Sequence, residues 1–224
     1  LSESDTEMPR SAAVSLDDMR DIARDMVGGA PGAASLAALD IALIRFGLAV
    51  SMTSLDRDAI AEAIAQALGD GATIDQLQEV LSLVSGLGVH SLMAASVPLA
   101  QARGDAERSL TPSEAELWQR YVGDDPFWSG FEQEVPGFLG AMLRLSSDQF
   151  VAFFDYCAVP WKSGHVRARQ KELIAMACDA TPAHRFLPGF RLHLRNALSL
   201  GVSPNQIFEM LDLAASAPEH VGTR

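Results

Sequence analysis

Two side chains in the C-terminal half of the chain have the types and spacing for acid–base chemistry. His193 carries an imidazole whose ordinary pKa lies near neutrality, which suits moving a proton, and Glu172, 21 residues earlier, supplies a carboxylate that could orient or charge it. The spacing predicts Glu172 in the first turn of one helix and His193 within the next. On its helix His193 shares a face with Gly189, Phe190, Ala197 and Leu200. That face is apolar and inward, with open volume expected beside Gly189; Arg191 and Arg195 point away from it. A competing account needs no chemistry: a core histidine paired with Glu172 only to hold two helices together.

Other polar residues are weaker candidates. Cys157 and Cys178 lie far apart and form no Cys-x-x-Cys pair, so two buried, reduced thiols are expected. His184 falls in a loop or helix start nine residues before His193, and His90 and His220 are further off. A metal site built from His184, His193 and others is conceivable. No two of these histidines have ligand spacing such as i, i+4, however, and no metal is expected. Arg167 and Arg169 precede Glu172; Arg169 is a candidate for holding a substrate carboxylate, against the alternative of a solvated face.

The elements that must position these residues read as helices throughout. Ser15 precedes Asp17 and Asp18, Thr73 precedes Gln76, Thr111-Pro112 precedes Glu114, and Ser203-Pro204 precedes Gln206, all N-terminal capping signals. Apolar residues recur at three and four, as in Leu77, Val80, Leu81 and Val84, or Ile207, Met210, Leu211 and Ala214. No segment alternates with period two between hairpin turns. Hydrophobic residues make up 48% of the chain and aromatics only 7%, a balance of Ala, Leu, Val and Ile that suits close-packed helices. The fold class expected is all-α.

The same elements occur twice. At an offset of 130 residues Ala67-Leu68 falls on Ala197-Leu198, Gly71 on Gly201, Thr73 on Ser203, Glu79 on Glu209 and His90 on His220. Matched caps and glycine stops at one offset point to an internal duplication. The divisions expected are a first unit over 1–100, a helical connector over 101–146 and a second unit over 147–224. In the first unit Ala42 and Ala63 stand where Glu172 and His193 would be, so only the second can bear the pair. The connector is acidic and aromatic, with Trp118, Tyr121, Phe127, Trp128 and Phe131, a cluster more suited to a core than to a ligand box.

With 17 basic against 29 acidic residues the net charge is -12, which argues against a nucleic-acid partner. Leu1 to Asp5 lacks a basic, then apolar, leader pattern, so a cytoplasmic location is expected. Leu81 to Ala102 contains no charged residue, but its serines, glycines, His90 and Pro98 weaken it as a lipid-facing span. It reads as two helices buried in protein, broken near Gly86 to Gly88, and no membrane partner is expected.

The second unit runs Lys171-Glu172-Leu173-Ile174-Ala175-Met176-Ala177, then His193-Leu194-Arg195-Asn196-Ala197-Leu198, Gly201-Val202-Ser203 and Ile207-Phe208-Glu209-Met210-Leu211. This resembles the carboxymuconolactone decarboxylase family, which shares its fold with alkylhydroperoxidase D. The first unit looks like a worn copy. The resemblance implies helical units assembling into rings, trimers or hexamers, a small-molecule substrate, no cofactor, and Glu172 and His193 as catalytic pair with His184, Gly189 and Arg169 at the substrate. Peroxidase members use Cys-x-x-Cys-x-x-x-His; here those cysteine positions are Phe186 and Gly189, so thiol chemistry is not expected. The family hosts several activities. The expected reading is a cofactor-free lyase or isomerase that transfers a proton on a small organic acid or lactone. The rivals are a silent scaffold or small-molecule-binding protein, and a metal-dependent or thiol oxidoreductase.

Overall fold

A computed structural model describes residues 13–29 and 32–222. Among these residues the chain forms twelve α-helices and no strand. The helices are α1 (Leu16–Val27), α2 (Ala38–Val50), α3 (Arg57–Gly69), α4 (Ile74–Ser85), α5 (His90–Arg103), α6 (Pro112–Tyr121), α7 (Pro126–Glu134), α8 (Phe138–Leu145), α9 (Ser147–Cys157), α10 (Ala168–Asp179), α11 (Leu187–Ser199) and α12 (Pro204–Ala215). The capping boxes read from sequence form at Ser15, Thr73, Thr111 and Ser203, each with reciprocal side-chain bonds that satisfy amide groups at the helix start.

The 130-residue offset recurs in the helices themselves. The bounds of α3 and α11, and of α4 and α12, correspond at both ends, and α2 and α10 start at corresponding residues. The helix stops repeat as well. Ala72 N–H donates to Ala67 at 2.8 Å and Val202 N–H to Ala197 at 3.0 Å. Each stop needs a left-handed residue just before it, supplied by Gly71 (φ 90°) and Gly201 (φ 77°).

The two sets of helices share one core rather than having one each. Leu43, Ile44, Val80 and Val84 of the first set pack in the same cluster as Leu173, Ile174, Met210 and Leu211 of the second. α2 and α10 meet at its centre, where Gln170 Nε2 donates to Asp40 Oδ1 at 2.6 Å, both residues buried and both at corresponding positions. The flanking helices then cross over. Gln76 of α4 donates to the His165 carbonyl before α10, and Gln206 of α12 donates to the Ser35 carbonyl before α2. Likewise Glu79 accepts from His165 N–H and Glu209 from Leu36 N–H. Each set therefore holds the chain leading into the other's central helix.

The connector makes a second cluster, with Phe131 and Phe138 packed against Phe150, Phe153 and Phe154 of α9 and Leu192 of α11. The sequence division after residue 146 falls inside this cluster, because the phenylalanines of α9 match the aromatic connector better than the Ala/Leu core. Leu81 to Ala102 is broken at Gly86–Val89, where expected, but it is only partly buried: Val84, Leu87, His90, Ser96 and Ala100 are inside, whereas Leu81 and Leu99 are exposed. α5 packs on α8 along one side and leaves its other side open. Ile74–Arg103 is long and apolar enough to cross a membrane, with only 22% of its apolar window buried. Glu79 of α4, however, forms a buried ion pair with Lys171 of α10 (2.5 Å), which ties this stretch into the protein core.

Gly47 of α2 sits where a side chain would meet Ile174 Cγ2 at 2.7 Å. Ile174 is fully buried and β-branched, so it has little freedom to move aside. Gly47→Ala is expected to lower stability by about 1–3 kcal/mol, whereas Gly69→Ala, with open space around it, should be neutral or slightly stabilising. Chemical denaturation of the two variants checks this; equal midpoints would show that the α2–α10 contact is not close.

Candidate active site

Every residue of α10 from Gln170 to Asp179 is buried, which brings Glu172 inside the protein. α10 begins earlier than its sequence pattern indicated, because Gln170 accepts from Arg167 N–H at 3.0 Å, so Glu172 lies one turn further in. α11 packs against α10 and presents His193. Its Nδ1–H donates to Glu172 Oε2 at 2.7 Å, and Asn196 Nδ2, three residues on along the same face, donates to Oε1 at 3.3 Å. Both carboxylate oxygens are thereby engaged and the imidazole orientation is fixed. Burial works against a charge on His193, but the Glu172 hydrogen bond and the negative charges of Glu172 and Asp179 outweigh it and raise the pKa above 6.5.

A second polar group lies alongside. His90, at the start of α5, meets His184, on the turn between α10 and α11, with Nδ1 and Nε2 2.7 Å apart. Asp179 Oδ1 is 3.7 Å from His90 Nδ1 and 3.8 Å from His184 Nε2. Asp179 is fully buried, and neither carboxylate oxygen has a hydrogen-bond partner among the described residues. Burial pushes its pKa up to about 7, with His193 partly opposing. Burial also pushes His90 down to about 3, helped by His184 and His193, and lowers His184. Both imidazoles are thus neutral at physiological pH.

These three residues offer metal donors within 4.8 Å of one another. The rings, however, lie end to end in one plane: their centres are 5.0 Å apart, their planes 5° apart, and the 2.7 Å N···N contact lies between them. Each lone-pair axis points at the other ring, as in an N–H···N hydrogen bond. An ion at roughly 2.0–2.1 Å from each nitrogen would need both rings to swing out of this contact. The arrangement fits a hydrogen-bonded pair better than a metal centre.

Glu172, His193, Asn196 and His90 all line a cavity of about 650 Å³. Its other walls are mainly apolar: Leu83 and Leu87 from the α4 end, Phe127, Trp128 and Phe131 from α7, and Phe153 and Phe154 from α9. Phe127, Tyr156, Trp161 and Leu200 are well exposed and mark the mouth.

The sequence candidates divide on this geometry. Glu172 and His193 come together at the cavity wall. Gly189 lines the cavity, but the open volume expected beside it is taken: a Cβ there would lie 2.4 Å from Asp179 Oδ2. His184 is not in the lining and stands behind His90. Arg169 faces Asp40 of α2, at 3.9 Å, and does not reach the cavity, because α10 turns that side towards the other set. Cys178 is buried, but Cys157 is only half-buried and lines the cavity; burial pushes its pKa up to about 11, so it is a thiol rather than a thiolate. Asn196, Asp179 and His90 were missed as site residues. Asn196 is three residues from His193 and could have been found by helical spacing. Asp179 closes an otherwise apolar run, which was a signal. His90 comes from the other set, and nothing local marks it.

The corresponding place in the first set is plain. Ala42, Ala49 and Ala63 occupy the positions of Glu172, Asp179 and His193, and all three are buried. Ser54 takes the place of His184, and its carbonyl accepts from His220 Nδ1 at 2.7 Å, so the crossed contact survives without the polar cluster.

Because folding raises the Asp179 pKa from 3.8, the native state holds the proton more tightly than the unfolded chain. The associated stability is present below pH 3.8 and is lost as pH rises through about 7. Asp179→Asn removes the charge that must otherwise be buried. It should be more stable than wild type by about 1–3 kcal/mol at high pH, with the difference shrinking at low pH. Denaturation at about pH 8 and about pH 4 checks this; a difference independent of pH would mean that Asp179 stays ionised.

Comparison with known proteins adds two findings. Residues 148–219 match the model of the carboxymuconolactone decarboxylase family. A crystal structure from Burkholderia xenovorans LB400, provisionally described as a gamma-carboxymuconolactone decarboxylase subunit, superposes with a TM-score of 0.68 at 26% identity, over 91% of this chain and 84% of that one. No protein of curated function matches the sequence significantly. The second set of helices therefore resembles the carboxymuconolactone decarboxylase family, and the likeness across the chain shows that the all-α fold is shared with that solved structure.

Proposed function

We propose that this chain is a lyase or isomerase that moves a proton on an organic acid or lactone, with His193 as the acid–base group and Glu172 as its orienting partner. The observation that carries this reading is the 2.7 Å His193–Glu172 hydrogen bond at the wall of a cavity large enough for a substrate. The description of the Burkholderia xenovorans structure supports the reaction type.

The first set of helices argues against a purely structural pair. Buried ionisable groups cost stability unless they are fully partnered. The first set forms the corresponding helices with Ala42, Ala49 and Ala63 at those positions, so this fold does not require the polar residues. Retaining Glu172, Asp179 and His193 in one place beside a cavity fits a chemical role.

Decarboxylation beside a conjugated carbonyl breaks the bond to the carboxylate carbon, leaves the electron pair on an enolate and releases carbon dioxide. The enolate then needs a proton on carbon. With Nδ1 held by Glu172, the His193 Nε2–H is the group free to supply it, and the raised pKa keeps the imidazolium populated near neutrality. Neutral His193 regains its proton from water.

His193→Gln is expected to lower turnover by roughly 10²–10⁴-fold, measured as carbon dioxide release or solvent-deuterium incorporation across a panel of unsaturated lactones and keto acids. The wild-type rate should fall as pH rises through the His193 pKa, above 6.5, because the acid form is the reactive one. Turnover that survives His193→Gln, or that rises over that range, rules out this role. Cys157→Ser should retain activity, since its thiol stays protonated.

We also infer self-association, because residues 91–102 of α5 carry no charged side chain and leave Leu99 exposed. Light scattering should give a multiple of 24.0 kDa, a trimer or hexamer for a ring; a monomer mass excludes it.

A further inference from the structure

The cavity's lining says more about its ligand than the reacting pair does. Among the described residues no Lys or Arg lines it, and Glu172 is its only carboxylate. Three neighbouring cations are held elsewhere: Lys171 by Glu79, Arg169 towards Asp40 and Arg195 by Glu134. A compact dicarboxylate would find one imidazolium for two charges, facing a carboxylate, inside a protein of net charge -12.

The walls offer the opposite chemistry. Trp128 packs edge-to-face on Phe131 and Phe154, with ring centres 5.5 and 4.8 Å apart, and Phe154 packs edge-to-face on Phe153 at 5.2 Å. These rings brace one another, so the aromatic wall is formed before any ligand arrives. Buried Leu87 and Leu192 add aliphatic surface. The polar groups gather at one place. There His193 has Nδ1 engaged with Glu172 and His90 has Nδ1 engaged with His184, so the Nε2 atoms of both rings are left to meet a ligand.

We propose that the cavity binds a bulky, mainly apolar molecule, with an aromatic or fused-ring body and a single polar head such as one carbonyl or one carboxylate. The body lies against the aromatic wall of α7 and α9, and the head meets His90 and His193. The proposal rests on the acid–base reading only for which end of the ligand reacts; the binding argument stands on the lining alone. A volume of about 650 Å³ accommodates such a body and lies inside the usual range for ligand pockets.

Titration of the full-length protein with 1-naphthaleneacetic acid, followed by calorimetry and by quenching of the cavity residues Trp128 and Trp161, tests it, with maleate as the compact dicarboxylate. The naphthyl probe is expected to bind in the micromolar range and maleate at least about 100-fold more weakly. Leu83→Trp and Leu192→Trp, each filling the cavity from a different helix, should weaken the probe about tenfold or more, with circular dichroism confirming the fold. Two variants are needed because Leu192 is buried and its replacement could disturb folding, whereas Leu83 is only partly buried. Maleate binding as well as the probe, or a probe affinity untouched in a folded Leu83→Trp variant, overturns the proposal. Binding of the probe without His193-dependent turnover of any acid or lactone would sink the lyase reading and leave this one standing. His193-dependent turnover of a compact dicarboxylate, with no probe binding, does the reverse.

Discussion

The closest approach of α2 to α10 governs the molecule. Gly47 lacks a side chain where Ile174 occupies the space, and the Asp40–Gln170 hydrogen bond closes the same contact in the middle of the core. With these two helices together, neither set can enclose its own hydrophobic face, and α4 and α12 must each pack across the junction. That crossing has a chemical consequence. α4 leads through the Gly86–Val89 turn directly into His90, so the first set delivers an imidazole to the polar site of the second. The site is assembled from both sets because the core is.

The polar cluster is held unevenly. Glu172 has a partner for each oxygen, and His193 is fixed through one ring nitrogen. Asp179 has none within hydrogen-bond distance among the described residues, and it presses close against Gly189, where any side chain would displace it. A fully buried carboxyl in this state costs stability while ionised, which is why its pKa moves to about 7. Two groups that both hold a proton more tightly than usual therefore sit together: the His193 imidazole, raised by the Glu172 hydrogen bond and nearby negative charge, and the Asp179 carboxyl, raised by burial to about 7. Such pairing of environments is a feature of sites where protons move.

The aromatic connector gives the cavity its character. Its phenylalanines and tryptophans form a core of their own, and the wall of that core faces the acid–base pair across Leu192. The Ala/Leu core and the aromatic core meet at the cavity, so one supplies the reacting groups and the other the surface that a ligand would lie on.

Much of this was legible in the chain. Capping boxes, glycine stops and three-four spacing are local properties, and each fixes a helix end through bonds within a few residues, so the all-α class and most helix positions followed. The Glu172–His193 pair was legible because both residues lie on consecutive helices whose packing the turn between them dictates. What sequence could not supply was whatever depends on residues far apart. Gly189 suggested open space, yet a carboxylate ten residues earlier fills it. Arg169 stood near Glu172 in sequence, yet faces the other set because a helix turns its residues to different sides. The uncharged stretch through α5 was expected inside, and the second core proved too small to cover both its sides. His90, 94 residues from its partner His184, joins the site only because α4 crosses the core. Tertiary packing decided these points, since it alone determines which buried polar groups share a space and which apolar faces are left open.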